Sequence, residues 1–170
     1  MKRLVLFVCS GNTCRSPMAE GLFRSLLPES WKDRVEAVSA GTGALPGEPP
    51  SPEARRAAEE GGVDIDGTRS RRLTADLVRR ADLIVVMARH HRRTVLDLDP
   101  EADVKTVLLH DLDAEGGKRS LRDVSDPFGS TLDVYRGTFE EIRRALRRGW
   151  KQIGERLFGS DGGPEGRWKE

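Results

Sequence analysis

The stretch that decides the fold runs from residue 2 to residue 27 and reads KRLVLFVCSGNTCRSPMAEGLFRSLL. Residues 2–8 are apolar and β-branched, which is typical of a buried strand. Ser16 before Pro17 combines an N-cap residue with proline at the first helical position, and this predicts a helix that ends near Leu27. A loop of residues 9–16 therefore joins the carboxyl end of a strand to the start of a helix.

Strands and helices continue to alternate along the rest of the chain. Further strands are predicted over residues 34–40, 82–87 and 104–110. Helices are predicted between residues 51 and 62, 74 and 80, 90 and 97, and 132 and 157. This order predicts an α/β fold in which a four-stranded parallel sheet is flanked by helices on both faces. Ligands of such sheets bind beyond the carboxyl ends of the strands, where the first loop lies.

The length of the chain, 170 residues, fits one compact domain. We predict that residues 1–158 form this domain. Residues 159–170 are glycine-rich and polar, so we expect a flexible C-terminal tail there. Residues 111–131 are polar with little periodicity, which predicts a long loop of the kind that often carries function.

Charge and cysteine content exclude several classes of partner and site. The formal net charge of +1 gives no overall field that would favour nucleic acid or an anionic membrane. The apolar run before Cys9 is too short to span a membrane. Cys9 and Cys14 are the only cysteines, and His90, His91 and His110 form no ligand constellation, which argues against a disulfide framework or a metal site. We therefore expect a soluble, cytoplasmic, monomeric protein without a metal.

The residue types of the first loop suit the binding of a phosphate group. Gly11 and Asn12, the only asparagine of the chain, tolerate the backbone angles that point successive N–H groups inward. The N-terminus of the following helix adds the positive end of its dipole. The loop residues expected to bind or support phosphate are Ser10, Gly11, Asn12, Thr13, Cys14 and Ser16.

Cys9 and Arg15 add reactive chemistry to this loop. Among the same N–H donors we expect the pKa of Cys9 to be lowered, so that its thiolate can attack phosphorus. The planar guanidinium of Arg15 matches two oxygens of a phosphoryl group. The Ser16 hydroxyl could hydrogen-bond the sulfur and ease its departure. The pattern predicts catalysis through a phosphocysteine.

Residues 8–20, VCSGNTCRSPMAE, resemble the signature of the low-molecular-weight protein tyrosine phosphatase family. The likeness continues through the motifs of residues 39–42, 71–74, 81–84 and 126–128, so it covers most of the chain. The resemblance implies a four-stranded parallel sheet flanked by helices. It also implies a phosphorylated protein as the substrate and hydrolysis without a cofactor.

A phosphatase of this type needs a carboxylic acid that gives a proton to the leaving atom. The long polar loop offers four candidates, Asp111, Asp113, Asp123 and Asp126. The residues alone leave the choice open. The resemblance assigns the role to Asp126, which stands in the family's aspartate-proline motif and is expected to activate the hydrolytic water afterwards. By the same resemblance Phe128 lines the pocket mouth, where many tyrosine-directed members have tyrosine.

Thr13 bears on the choice of substrate. Tyrosine phosphatases of the family commonly have isoleucine at this position, whereas this chain resembles the bacterial protein arginine phosphatases in having threonine. Isoleucine offers an apolar wall to a phenyl ring, while threonine presents a hydroxyl to a polar guanidinium. We therefore hypothesise phosphoarginine as the favoured substrate, with phosphotyrosine as the alternative if Thr13 only shapes the loop.

Two further positions support more specific expectations. Thr68 falls where several relatives have a histidine that braces the phosphate loop, so its hydroxyl is expected to take over part of a network with Asn12 and Ser39. Cys14 is close enough to Cys9 in a tight loop to form a disulfide after oxidation, or else is simply a small buried residue. In the first case Cys14 is a redox partner that protects Cys9.

Three other functions remain as alternatives. Thiol-coupled arsenate reductases resemble this loop, but their relay needs further cysteines that the chain lacks. A sugar phosphotransfer carrier would use a phosphocysteine without a separate acid, so transfer that does not depend on Asp126 would indicate it. An idle phosphopeptide-binding module could keep Arg15 without Cys9. The presence of a nucleophile, an arginine and an acid together favours turnover.

Overall fold

The computed structural model describes residues 1–114 and 119–160. Within these ranges four strands form one sheet in the order β2-β1-β3-β4, and every neighbouring pair is parallel. The strands are β1 (Arg3–Cys9), β2 (Val35–Gly41), β3 (Leu83–Val86) and β4 (Thr106–Leu108). The α-helices are α1 (Arg15–Leu26), α2 (Glu29–Lys32), α3 (Pro52–Glu60), α4 (Ala75–Arg80), α5 (Arg89–Leu98), α6 (Leu132–Arg148) and α7 (Trp150–Phe158). The predicted four-stranded parallel α/β fold is confirmed.

Strand β1 lies inside the sheet, between β2 and β3, because both of its faces are apolar. Successive side chains of a strand face opposite sides. Val5 and Phe7 join one core with residues of α1, α3, α6 and α7. Leu6 and Val8 join a second core with residues of α4 and α5. Cys9 continues the side of Val5 and Phe7, so it lies buried at the carboxyl end of the strand.

Helix α1 begins at Arg15, and the prediction that Ser16 is its N-cap is wrong. Cys14 precedes the helix, and its side chain makes no capping hydrogen bond. Ser16 lies buried in the first turn. Its hydroxyl contacts Cys9 Sγ and accepts a hydrogen bond from the Asn12 amide. The hydroxyl is therefore used by the phosphate loop and is not available as a cap.

The other helix signals behave as predicted. The Ser51 side chain accepts a hydrogen bond from the N–H of Ala54 at the start of α3, and Thr74 does the same for Leu77 at the start of α4. Such caps satisfy N–H groups that have no partner within the helix. After α3 the chain reverses at Gly62, whose φ of +80° confirms the expected left-handed glycine.

The single C-terminal helix predicted over residues 132–157 is instead two helices, α6 and α7, separated by Gly149. A Cβ at Gly149 would collide with Leu112, so the backbone here packs directly against the segment after β4. Strand β4 is also shorter than predicted, because residues 100–105 and 109–111 form 3₁₀ turns. The four-residue helix α2 was not predicted; its Trp31 stacks on Trp150 at 5.3 Å.

The predicted tail of residues 159–170 lies largely outside the described residues, which end at Ser160. The division into a domain of residues 1–158 and a flexible tail therefore stays a prediction. Among residues 1–114 and 119–160, no helix combines the length and the apolar character that crossing a membrane requires.

Candidate active site

Backbone bonds turn the N–H groups of the phosphate loop towards its interior. Carbonyl oxygens of Cys9, Ser10 and Thr13 accept hydrogen bonds of 2.9 to 3.0 Å from the N–H groups of residues 42, 43 and 51 outside the loop. In a planar trans peptide the N–H points away from the C=O of the same unit. The N–H groups that follow these carbonyls are therefore directed inward, as phosphate binding requires.

Asn12 provides the sharp turn in this loop. Its φ of +56° lies in the left-handed region that asparagine tolerates, as the sequence predicted. Asn12 Oδ1 accepts a hydrogen bond of 2.9 Å from the N–H of Arg71, and Nδ2 donates one of 2.8 Å to Ser16. Gly41 packs against the same turn, since a Cβ there would lie 2.5 Å from the Ser10 carbonyl oxygen.

The expected bracing role of Thr68 is wrong for this chain. Its hydroxyl makes no hydrogen bond with any residue in the described part of the chain, whereas its N–H bonds the Ile65 carbonyl. Asn12 is held instead by the backbone of Arg71. Ser39 donates a hydrogen bond of 2.5 Å to the buried carboxylate of Glu20. The backbone of residue 71 thus does what a side chain at residue 68 was expected to do.

Cys9 Sγ lies 2.8 Å from the Ser16 hydroxyl, and the side chain is buried. The expectation of a lowered pKa is wrong here, because burial raises the pKa of the Cys9 thiol above its ordinary value. The hydroxyl and N–H of Ser16, the charge of Arg15 and the N–H of Asn12 all act to lower this pKa. The thiolate therefore depends on these neighbours for its stabilisation.

Arg15 is fixed on one side and has an unused donor on another. Its side chain is only 4% exposed, and Nη1 donates a hydrogen bond of 2.8 Å to the carbonyl oxygen of Val124. Nη2 lies 3.4 Å from Oδ2 of Asp126. Nε is buried and has no hydrogen-bond partner among the described residues. A buried N–H without a partner is costly unless a ligand satisfies it, which a phosphoryl oxygen could do.

The structure separates the four candidate acids. Asp111 accepts a hydrogen bond from the N–H of Ser120, and Asp113 lies 3.4 Å from Arg148. Asp123 is paired with Arg89. Burial by itself would raise the pKa of the Asp123 carboxyl, but hydrogen bonds from the N–H and the side chain of Arg89 outweigh this and lower that pKa. Of the four, Asp126 lines the same cleft as Cys9.

This cleft has a volume of about 220 Å³. Its lining residues are Cys9, Gly11, Thr13, Cys14, Arg15, Asp126 and Phe128. Phe128 stands at the rim with 76% of its surface exposed. Ser10, Asn12 and Ser16 do not line the cleft; their side chains hold the loop from outside it. The cleft therefore brings together the predicted nucleophile, arginine and acid, with the two predicted specificity residues beside them.

Cys14 is a free, buried thiol with polar neighbours. Its Sγ lies 3.3 Å from the Tyr135 hydroxyl and 3.6 Å from the Ser51 hydroxyl. Burial and this contact with Cys14 raise the pKa of Tyr135 to about 12. Cys9 is likewise a free thiol, and the redox partnership of the two cysteines stays a prediction.

His91 was not recognised as part of the site from the sequence. It is fully buried in α5, and its Nε2 lies 2.9 Å from the Ser10 hydroxyl of the phosphate loop. Burial, aided by His90 and Arg15, lowers the pKa of His91 to about 3, so the imidazole is neutral at physiological pH. One signal could have indicated it: His91 lies in the first turn of α5, five residues after the carboxyl end of the buried strand β3, where sites of parallel sheets form.

The parallel sheet and the loop after its first strand define a small α/β phosphatase with a cysteine in its phosphate loop. The comparison with known families agrees with this class. The sequence profile described as low molecular weight phosphotyrosine protein phosphatase matches residues 4–157. The chain belongs to this family.

Relatives of both substrate types are similar to the chain. A probable low molecular weight protein-tyrosine-phosphatase, EpsP of Ralstonia nicotianae, is 37% identical over 86% of this chain and 92% of its own length. The protein-arginine-phosphatase of Bacillus subtilis is 36% identical over 88% of this chain and 95% of its own. A structure of a YwlE arginine phosphatase mutant with a phosphorylated active site serine is also similar, with a TM-score of 0.77 and 34% identity. The match covers 88% of this chain and 95% of that chain.

Proposed function

We propose that this phosphatase hydrolyses phosphoarginine in proteins through a phosphocysteine at Cys9. The observation that carries the reaction is the meeting of Cys9, Arg15 and Asp126 in one cleft, with Arg15 and Asp126 3.4 Å apart. The phosphorylated active site serine of the similar YwlE mutant supports transfer of the phosphoryl group to the protein. A carrier or a binding module would not need the acid beside the arginine.

In the first step the thiolate of Cys9 attacks phosphorus, and the bond from phosphorus to the leaving nitrogen breaks. Asp126 gives its proton to that nitrogen, so the arginine of the substrate leaves as a normal side chain. Arg15 and the inward N–H groups bind the phosphoryl oxygens as charge develops on them. Ser16, 2.8 Å from the sulfur, stabilises the thiolate before attack.

In the second step water attacks the phosphocysteine. The carboxylate of Asp126 takes a proton from this water, inorganic phosphate is formed, and the sulfur leaves as a thiolate. The hydrogen bond from Ser16 favours this departure. Both cysteines are free thiols, and a reducing compartment would preserve them. We accordingly propose that the protein acts in the cytoplasm. That it acts as a monomer stays a prediction from the sequence.

Thr13 and the similarity to the Bacillus subtilis protein-arginine-phosphatase support phosphoarginine as the substrate. Thr13 lines the cleft, and its hydroxyl, which lies 3.8 Å from Cys14 Sγ, is available to a polar guanidinium. Phosphotyrosine is the second candidate, because the exposed ring of Phe128 at the rim can stack on a phenyl group and EpsP is a probable tyrosine phosphatase.

The first prediction concerns two peptides of one sequence that carry either phosphoarginine or phosphotyrosine, assayed without added metal. We expect kcat/KM to be higher for the phosphoarginine peptide, and Cys9→Ala to abolish both activities. Thr13→Val keeps the size of the side chain but removes the hydroxyl. It should therefore reduce the ratio of kcat/KM for the phosphoarginine peptide to kcat/KM for the phosphotyrosine peptide. Asp126→Asn should lower kcat by roughly 10²- to 10⁴-fold.

A higher kcat/KM for phosphotyrosine would reverse the substrate assignment and leave Thr13 with a structural role. Phosphoryl transfer to Cys9 that does not depend on Asp126 and releases no inorganic phosphate would point to a phosphotransfer carrier. Binding of both peptides without turnover by the unaltered protein would indicate the binding module.

A further inference from the structure

A second hollow, larger than the catalytic cleft, lies on the same edge of the sheet. Its volume is about 480 Å³. Its walls come from the first turns of α5, the end of β4 with the turn after it, and the segment of residues 119–123. The lining residues are Arg89, His90, Arg92, Arg93, Leu108, Asp111, Arg119, Leu121 and Asp123. We refer to these nine residues as the basic hollow.

Positive charge exceeds negative charge in the basic hollow. Four guanidinium groups face two carboxylates, an excess of two charges when His90 is neutral. The chain as a whole carries only +1, so this excess is local. Arg89 is paired with Asp123, and Arg92 is paired with Asp103 outside the lining.

Two of these arginines, Arg93 and Arg119, form no salt bridge in the part of the chain that the structure describes. The pKa of Asp103 is lowered mainly by its hydrogen bond and charge interaction with Arg92, and the charge of Arg119 adds to this effect from a longer distance. Arg93 is exposed at the second turn of α5, and Arg119 is exposed on the opposite wall. The planar guanidinium binds carboxylate and phosphate through two parallel hydrogen bonds. The free donors of the basic hollow therefore match an anionic side chain.

Leu121 adds an apolar contact to the same wall. Its side chain is 58% exposed, and its φ of +55° is strained for a leucine. Such strain persists where the surrounding structure enforces it, and it concentrates at ligand-binding segments. An exposed leucine beside free arginines suits a peptide that combines acidic and apolar groups.

The wall of the basic hollow continues directly into the catalytic cleft. Asp123 lines the hollow and Asp126 lines the cleft, with only two residues between them. Three residue steps of extended chain span at most about 11 Å. The intervening Val124 accepts the hydrogen bond of Arg15. A bound peptide can therefore reach from the cleft to the hollow with about three or four residues.

Resting on the proposed function, we propose that the basic hollow binds an acidic segment of the protein substrate next to the phosphorylated residue. The anionic group is a carboxylate of glutamate or aspartate, about three or four residues from the phosphorylated side chain. Arg93 and Arg119 bind it, while Arg89 and Arg92 keep their own aspartates. The site selects among protein substrates and takes no part in the chemistry at Cys9.

The test uses three substrates: a small aryl phosphate and two phosphoarginine peptides that differ only in carrying glutamates or glutamines at the third and fourth positions on both sides of the phosphorylated residue. We expect kcat/KM of the unaltered protein to be about three- to tenfold higher for the glutamate peptide, through a lower KM. The double variant Arg93→Gln, Arg119→Gln should lose this preference. Its activity on the glutamine peptide and on the aryl phosphate should not change.

A matched control removes the same charge elsewhere. Arg144 and Arg147 are exposed on α6, and Arg144→Gln with Arg147→Gln should leave the preference intact. If both double variants lost the preference for the glutamate peptide equally, the preference would result from net charge, and the proposed site would be overturned. Equal turnover of the two peptides by the unaltered protein would also overturn it, while leaving the proposed function standing. Loss of turnover on all three substrates by the unaltered protein would instead overturn the proposed function.

Discussion

The side chains of Ser16 and His91 hold the phosphate loop through contacts outside the cleft. Ser16 connects Cys9 to Asn12, with contacts of 2.8 Å to each. His91 reaches the loop from α5 and contacts Ser10 at 2.9 Å. Neither Ser10 nor His91 lines the cleft, so both act on the reaction through the shape of the loop. The contacts of Ser16 are buried and the Ser10–His91 contact is partly buried, and a hydrogen bond away from water that loses one partner leaves the other unsatisfied.

At this scale we expect His91 to be a positioning residue. His91→Ala should lower kcat by roughly tenfold, because the Ser10 hydroxyl loses its partner and a cavity forms under the loop. His91→Gln, whose amide can reach the same hydroxyl, should restore most of the activity. Ser10→Ala should have an effect similar to that of His91→Ala.

The decisive measurement for His91 is the double variant. If the two side chains act through their mutual contact, His91→Ala combined with Ser10→Ala should cost no more than either change alone. Additive losses, or a glutamine variant as slow as the alanine variant, would show that His91 only fills space. The stability of each variant, from urea unfolding, separates a lower rate from a smaller folded fraction.

At the scale of elements, two glycines of the C-terminal helices have opposite roles. Gly137 lies exposed within α6, and a Cβ there would meet open space. Gly149 separates α6 from α7 and packs against Leu112 so closely that a Cβ would collide with it. Gly137 therefore only weakens helix α6, whereas Gly149 is required because a side chain there would collide with Leu112.

We expect the two alanine substitutions to change the free energy of unfolding in opposite directions. Gly137→Ala should raise it by about 0.5–1 kcal/mol, because alanine loses less conformational freedom in a helix. Gly149→Ala should lower it by about 1–3 kcal/mol through overpacking. Urea unfolding of the pair provides the comparison, and a stabilising Gly149→Ala would contradict the packing argument.

For the whole molecule, His91 also makes stability depend on pH. Its pKa is lowered to about 3 in the folded protein, whereas an unfolded histidine titrates near 6.5. Between these values the unfolded chain binds a proton that the folded protein does not. Stability should therefore be fully present above pH 6.5 and fall as the pH decreases, by about 1.4 kcal/mol per pH unit from this group.

The measurement is the free energy of unfolding of the unaltered protein and of His91→Gln at several pH values between 5 and 7. The variant lacks the titrating group, so its stability should vary less with pH. The charged neighbours Arg15 and Asp123 and the ring of His90 are present in both proteins and cancel in the comparison. Identical slopes would contradict the assignment of this pH dependence to His91.

Much of the architecture could be predicted from local sequence patterns. The buried strand β1, the loop after it, and the capped starts of α3 and α4 all depend on residues a few positions apart. Errors occurred where tertiary contacts competed with a local signal. Ser16 has the residue type of an N-cap but is held by Cys9 and Asn12, and the periodic stripe over α6 and α7 concealed the break at Gly149.

The sequence by itself determined the fold class and the family, because a strand, a phosphate loop and the helix after it form one continuous local pattern. The family resemblance had already assigned the acid to Asp126, and the structure places this residue rather than Asp123 in the cleft. Only the tertiary structure joined Ser10 to His91 across 81 residues of chain. It also decided that burial raises the pKa of Cys9. Such contacts and desolvation arise when distant segments pack together, and the local pattern of residues does not encode that packing.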